Sequence, residues 1–281
     1  MLRRLILKVV GLLLLLVAGW FGYGQLGGDQ HIYAGQPLET ALPWYLRSRV
    51  LHNIGYSVGY SEWRANPLWV SYRLGRDLES EKVGKRPDFR SDWRSLAGVS
   101  GDDYSQSGYD RGHLAPNYAI ARFYGKRAQA ETFLLTNIVP QRGNLNRKLW
   151  QRLEQVETDH FLPLFGEVWV MTGPIFANES KTLKNDLFAI DVDIPESFYK
   201  IYLRPALDKP EGLAVLAIRM PQQVRGSEPL DRYVTTVDAI EAATWLDFFS
   251  ELSDDLEAIL ESSSDSNAWQ LKKVARQAAR Y

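Results

Sequence analysis

Four stretches decide the fold class. "PLWVSYRLG" (67–75), "GEVWVMTG" (166–173), "ESFYKIYLR" (196–204) and "GLAVLAIRM" (212–220) are rich in β-branched or aromatic residues and read as strands. In the first, Leu68, Val70, Tyr72 and Leu74 alternate, which puts them on one side of a strand. Between these stretches the pattern turns helical. Asn117 is placed to cap a helix running through Ala128, and Asn144 or Asn146 a second one running to about His160. In "TTVDAIEAATWLDFF", Thr235 or Thr236 caps a third, with Glu241 near its start. Strands and helices interspersed without regular βαβ alternation predict an α+β fold around an antiparallel sheet. The chain has 281 residues, 45% of them apolar, which is enough for a sizeable core. It has no cysteine, so disulfides, thiolate metal sites and cysteine nucleophiles are excluded.

The amino-terminal "MLRRLILKVVGLLLLLVAGWFGYG" does not belong to that sheet. Its apolar run from Leu5 to about Tyr23 is near the ~20 residues a helix needs to cross the hydrocarbon core. Lys8 is close enough to the end to snorkel. Arg3, Arg4 and Lys8 favour a cytoplasmic amino terminus and an exported body, and Trp20 and Tyr23 suit the far interface. We read residues 1–24 as an uncleaved membrane anchor through residues 5–24. The alternative is a secretory signal and a secreted mature chain, but "AGWFGYG" places Trp and Phe where a cleavage site wants small residues. Residues 25–50 read as a Gly-rich tether with no core of its own. The body is expected over 51–250, with a polar helical tail over 251–281.

Charge is uneven although the net value is only −1. From Arg111 to Arg152 the basic residues are Arg111, Arg122, Lys126, Arg127, Arg142, Arg147, Lys148 and Arg152, against Glu131 alone. From Glu228 to Asp265 eleven acids face Arg232 alone. A basic middle suits an anionic ligand there, and solvated helix faces would give the same pattern. Inside this middle stands "YDRGHLAPNYAIARF" (109–123), holding one of the chain's four histidines, His113. Downstream, "TNIVPQRGNLNRKLWQRLE" (136–154) supplies Asn137, Gln141, Asn144, Asn146 and Glu154. No G-x-S-x-G elbow, H-E-x-x-H helix or P-loop is present.

The combination D-R-G-H with N-x(8)-N-x(7)-E resembles the DNA/RNA non-specific endonucleases. The likeness extends over roughly residues 50–250, through "KRPDF", "VWVMTGPIF" and "IPESFYKIYLR". It implies a ββα-metal (His-Me) finger within the α+β body. It also implies roles: His113 as general base, Asn146 as the one direct protein ligand of Mg²⁺ (or Mn²⁺), and Arg111 as the arginine that stabilises the phosphoryl transition state. Asn137 and Glu154 match residues that order water around the metal, and Arg86 in "GKRPDF" a substrate-contacting arginine. Arg122, Lys126 and Arg127 are expected to bind flanking phosphates. The residue chemistry agrees. A neutral histidine can take a proton from water near neutral pH. Mg²⁺ prefers oxygen ligands and keeps several waters, and a guanidinium matches phosphate. If both were helical, Asn146 and Glu154 would stand about 12 Å apart along the axis. Asp110 is expected to orient its loop rather than bind metal. The reading is a metal-dependent endonuclease of DNA and RNA, tethered outside the cytoplasm. The alternatives are a catalytically silent nucleic-acid-binding module and a phosphodiesterase acting on another substrate. A homodimer and a protein inhibitor are partners the sequence leaves open.

Overall fold

The computed structural model describes residues 6, 10, 11, 30–76, 83–183 and 190–279. All four strand-like stretches are strands. In chain order the principal elements are β1 (Arg49–Asn53), β2 (Tyr56–Ser61), β3 (Asn66–Gly75), β4 (Asp110–His113), α1 (Asn117–Thr132) and β5 (Ile138–Gln141). Then comes α2, a continuous helix of successive segments Leu145–Trp150, Gln151–Val156, Glu157–Phe161 and Leu162–Phe165. It is followed by β6 (Glu167–Ile175), β7 (Ser197–Pro205), β8 (Leu213–Pro221), β9 (Val234–Thr235), α3 (Val237–Thr244), α4 (Asp254–Glu261) and α5 (Leu271–Val274). Seven strands form one sheet in the order β9-β8-β7-β6-β3-β2-β1. Every pairing in it is antiparallel.

Alternation along the strands sends side chains to two buried faces. Val70, Tyr72, Phe198, Tyr202, Leu216 and Ile218 meet α2, together with Leu114, Ala115 and Ile138 of the β4–β5 region. Tyr199, Ile201, Leu203, Val215 and Ala217 face the other way, toward α3, α4 and Phe248. Leu68 departs from the expected pattern. It lies with the second face, not with Val70 and Tyr72. The register explains this: Gly59 pairs with Trp69 and Tyr60 with Pro67, so Leu68 is the extra residue of a β-bulge.

The helix boundaries differ from the capping pattern. Asn117 does not cap α1; Pro116 holds that position, and the Asn117 Oδ1 accepts from Gln129 Nε2 at 3.0 Å. α1 runs on past Ala128 through a kink at Gly125, whose φ of 83° suits only glycine. Asn144 stands at the start of α2 but is already helical and makes no side-chain cap, and Asn146 lies inside the helix. α2 passes His160 and stops at Gly166, left-handed with φ 85°. Thr236 does cap α3, accepting from the Ala239 N–H at 3.2 Å. That helix ends at Trp245 with φ 58°, and Leu246–Asp247 leaves it to pair with Leu38–Glu39.

The stretch read as a tether is thus partly built into the body: Ile32 and Leu42 are buried on the second face. The carboxy-terminal stretch is also held, since Trp269 and Leu271 are fully buried. Arg152, read as part of a basic surface, is buried instead. It donates to the carbonyls of Glu228 (2.8 Å), Ala275 (2.6 Å) and Gln277 (2.7 Å). Nearly all of residues 5–24 lie outside the described residues. Among the described residues no helix is long and apolar enough to cross a membrane.

Candidate active site

β4 and β5 form a two-stranded antiparallel ribbon with Asp110 opposite Gln141 and His113 opposite Ile138. α2 follows directly, so D-R-G-H and the asparagine cluster share one ββα unit. Gly112 is required by this packing. A Cβ there would lie 2.2 Å from Gln141 Oε1 and 2.6 Å from its Cγ, and Gln141 is buried. At the front of the ribbon, Asn146 Nδ2 donates to Asp110 Oδ2 at 3.1 Å, and Arg147 Nε donates to the same oxygen at 2.7 Å. Arg147 also donates to Asp110 Oδ1. Burial alone would raise the Asp110 carboxyl, but the hydrogen bonds from Arg147 and Asn146 outweigh it and hold the group below its ordinary range. Asp110 therefore stays anionic and turns the Asn146 amide so that its Oδ1 makes no hydrogen bond among the described residues.

At the other end of β4, His113 lies between two phenylalanines. Phe133 meets its ring edge-on at 4.9 Å and Phe89 is tilted against it at 5.4 Å. Phe89 also carries the Arg111 guanidinium on its ring at 4.6 Å. Arg111 and His113 point the same way from the strand, as residues two apart must. Burial, then the charge of Arg86, lowers the His113 pKa to about 3. The imidazole is neutral at physiological pH, as a proton acceptor must be. Its Nε2 is buried without a hydrogen-bond partner. An unpartnered buried polar atom of this kind is rare and marks a functional site more often than ordinary core.

Glu154 sits further along α2, turned inward. Burial raises its pKa to about 8, partly countered by Lys200, while Glu157 pushes it higher and Arg86 lower. The exposed Arg86 is therefore near enough to act on both Glu154 and His113. Below Glu154 lies a polar cluster the sequence did not disclose. Lys200 of β7 and Glu157 of α2 form a fully buried ion pair. The carboxylate of Glu157 also accepts from Tyr72 OH (2.7 Å) and Tyr202 OH (2.8 Å), and Lys200 Nζ donates to Tyr72 OH at 2.9 Å. Every partner comes from the sheet, so the cluster pins the helix that carries Asn146 and Glu154.

The remaining residues are placed differently from one another. Asn137 is fully buried and its amide is spent on backbone: Oδ1 accepts from the Ala115 N–H at 2.9 Å, and Nδ2 donates to Ala115 O (3.1 Å) and Thr132 O (2.9 Å). With no donor left for water at a metal, it clamps the turn after His113 instead. Arg122 is half-buried over Phe123, with its guanidinium 5.3 Å from that ring. Lys126 and Arg127 are exposed beyond the Gly125 kink, about 14 Å along α1 from its start. Phe89, Phe133, Glu157 and Lys200 were not singled out in the sequence. Aromatics near a strand read as ordinary core, and a lysine in "ESFYKIYLR" reads as solvent-facing.

The donor chemistry suits a hard divalent cation. Asn146 offers one carbonyl oxygen with its amide orientation fixed, and Glu154, eight residues further along α2, bears on such an ion only through water. The sequence pattern of the DNA/RNA non-specific endonucleases matches residues 35–255. A nuclease of Nostoc sp. is 31% identical over 225 residues, covering 75% of this chain and 77% of that protein. Human mitochondrial endonuclease G is 29% identical over 203 residues, covering 69% and 67%. Among solved structures, a chain from a crystal structure of the EndoG/EndoGI complex superposes with a TM-score of 0.65 at 24% identity, covering 80% of this chain and 92% of that one. That likeness concerns the fold.

Proposed function

The chain belongs to the DNA/RNA non-specific endonuclease family, and from that membership we propose a divalent-metal-dependent hydrolase that cuts DNA and RNA phosphodiesters by water activation at His113. The observation that carries this reading is the pair of prepared groups on one short strand: a neutral His113 with an unpartnered Nε2, and Asp110 aiming the Asn146 carbonyl. Asn146 would hold the cation, Mg²⁺ or Mn²⁺, with Glu154 ordering water beside it. When bound, the cation polarises the phosphate and stabilises the departing oxygen. His113 takes the proton of the attacking water on a ring nitrogen. The water oxygen bonds to phosphorus as the bond to the 3′ oxygen breaks, and that oxygen takes a proton from solvent water, leaving a 5′-phosphate and a 3′-hydroxyl. Arg111, braced on Phe89, neutralises charge gathering on the phosphoryl oxygens. Arg86 contributes twice, since it attracts phosphate and is one of two causes holding His113 low. Phosphate arriving at Arg86 offsets that charge and moves the imidazole toward a useful basicity. Contacts to phosphate carry no sequence information, which accounts for the lack of sequence preference.

Two further parts of the proposal concern setting. Residues 1–24 tether the enzyme with its catalytic body outside the cytoplasm, supported by Arg3, Arg4 and Lys8 ahead of the apolar run. Protease added outside the cytoplasmic membrane should then reach the body. A protein inhibitor is proposed because the superposed chain comes from the EndoG/EndoGI complex, a structure that concerns the inhibition of EndoG. The nuclease reading is tested by digesting supercoiled plasmid and a mixed-sequence RNA in EDTA and in a series of Mg²⁺ and Mn²⁺ concentrations. Cleavage of both that EDTA stops supports it. Binding without cleavage would identify a silent nucleic-acid-binding module.

A further inference from the structure

The acidic stretch near the carboxy terminus is not spread evenly over solvent. α3, the strand Leu246–Asp247 and α4 bring five of its carboxylates together on the face of the sheet opposite the ββα unit. Oxygens of Asp238, Glu241 and Glu261 lie within 4.8 Å of one another, and so do those of Asp247, Glu257 and Glu261. Glu261 belongs to both trios. It is only 7% exposed, and its Oε1 has no hydrogen-bond partner. Oε1 of Glu257 is likewise buried and unpartnered. Among the described residues no lysine or arginine forms an ion pair with any of the five. The Phe248 N–H, which donates to Glu241 Oε1 at 2.7 Å, supplies one neutral donor to the group.

A buried carboxylate without a compensating partner is costly. Two remedies exist: a shared proton or a bound cation. Without a cation the group holds a proton, since burial and then Glu241, Glu257 and Asp238 push Glu261 to about 9. Each trio gathers three oxygens from two separate elements, which matches a cation better than a single proton does. We propose that Glu261, flanked by Asp238 and Glu241 on one side and Asp247 and Glu257 on the other, binds a calcium-like divalent cation that ties α3 to α4. Calcium takes several carboxylate oxygens at roughly 2.3–2.6 Å in adaptable geometry, so two oxygens on one ion stand at most about 5 Å apart. The 4.8 Å span of each trio fits that limit. Magnesium demands a stricter octahedron and retains water, so it is the weaker candidate. The site is structural and separate from Asn146, which lies across the sheet.

Thermal unfolding of the full chain tests this, in EDTA and then in CaCl₂ or MgCl₂ at constant ionic strength. A ligand of the folded state present at about a hundredfold excess over Kd should raise Tm by roughly 5–10 °C in a chain of this size. The calcium shift is expected in the parent and in Asn146→Ala, which removes the proposed active-site ligand. It should be lost in Glu261→Gln. If Glu261→Gln shows no cooperative transition, calorimetric titration of Asn146→Ala decides: one calcium per chain supports the site and none overturns it. A parent without a calcium shift, or a shift that Glu261→Gln retains, overturns the proposal. So does a Glu261→Gln chain that is stabilised in EDTA while the parent gains nothing from calcium, for that outcome identifies a shared proton.

Discussion

Replacing Asp110 with alanine should weaken metal activation while sparing the chemical step. Asp110 is the group that tells the two ends of the Asn146 amide apart, accepting from Nδ2 at 3.1 Å and leaving Oδ1 outward. A hydrogen bond to a charged group is worth about 1.5–3 kcal/mol. Without it, the amide has no such preference for presenting oxygen. Losing that bias corresponds to a fall in metal affinity of roughly 10–100-fold, the usual range for a residue that orients a ligand. The assay is the initial rate of plasmid nicking against Mg²⁺ concentration at fixed ionic strength. Asp110→Ala should shift half-activation by that factor and approach the parent rate at saturating metal. Arg147→Ala is the control: it removes the exposed second partner of Asp110 and keeps the bond to Asn146. Its half-activation should stay within about twofold, in line with the small worth of exposed ion pairs. Equal Mg²⁺ dependence in Asp110→Ala and the parent would refute the orienting role.

Asn137→Ala should cost about 2–4 kcal/mol in urea unfolding, because three backbone groups lose their buried partner. Its turnover should drop with Mg²⁺ half-activation unchanged, since Asn137 positions the turn after His113 and not the metal. Lys200→Met alone should destabilise by about 3–5 kcal/mol by stranding a buried carboxylate, and Lys200→Met with Glu157→Gln by less than the two singles summed. For pH, the folded His113 pKa of about 3 lies below the unfolded value of 6.5. Its contribution to stability is therefore full above pH 6.5 and is lost as pH falls toward 3. The parent should lose stability relative to His113→Gln over that window, by at most about 1.4 kcal/mol per pH unit. A constant difference between the two chains would contradict the burial of a neutral imidazole.

The strands were legible because their side chains alternate between two buried faces, and the pattern survives everywhere except at the β3 bulge. Nothing local marks Leu68 as the extra residue; the skipped position exists only relative to β2. The grouping of the candidate site was legible because His113, Asn146 and Glu154 lie within one ββα unit, where spacing along the chain sets spacing in space. Asn137 matched a residue that orders water around the metal because an asparagine amide serves such water and backbone clamps alike, and only burial separates the two uses. The Lys200–Glu157 pair joins residues 43 positions apart. Each charge looks ordinary in its own segment, and only the packing of α2 on the sheet brings them together. Arg152 misled in the same way: its partners are carbonyls more than 70 residues further on. The acidic stretch was visible as composition, but its convergence on Glu261 depends on how α3 and α4 cross.

The most direct test of the central claim is the single-turnover cleavage rate of His113→Ala at saturating Mg²⁺, measured with and without added imidazole. Removal of a general base commonly costs about 10²–10⁴ in rate. A fall of that size is expected, with partial recovery in imidazole that follows the fraction of neutral imidazole as pH is varied, and with a cooperative unfolding transition retained and Mg²⁺ half-activation close to the parent. A variant that cleaves at the parent rate would show that another group activates the water and would contradict the assignment of His113.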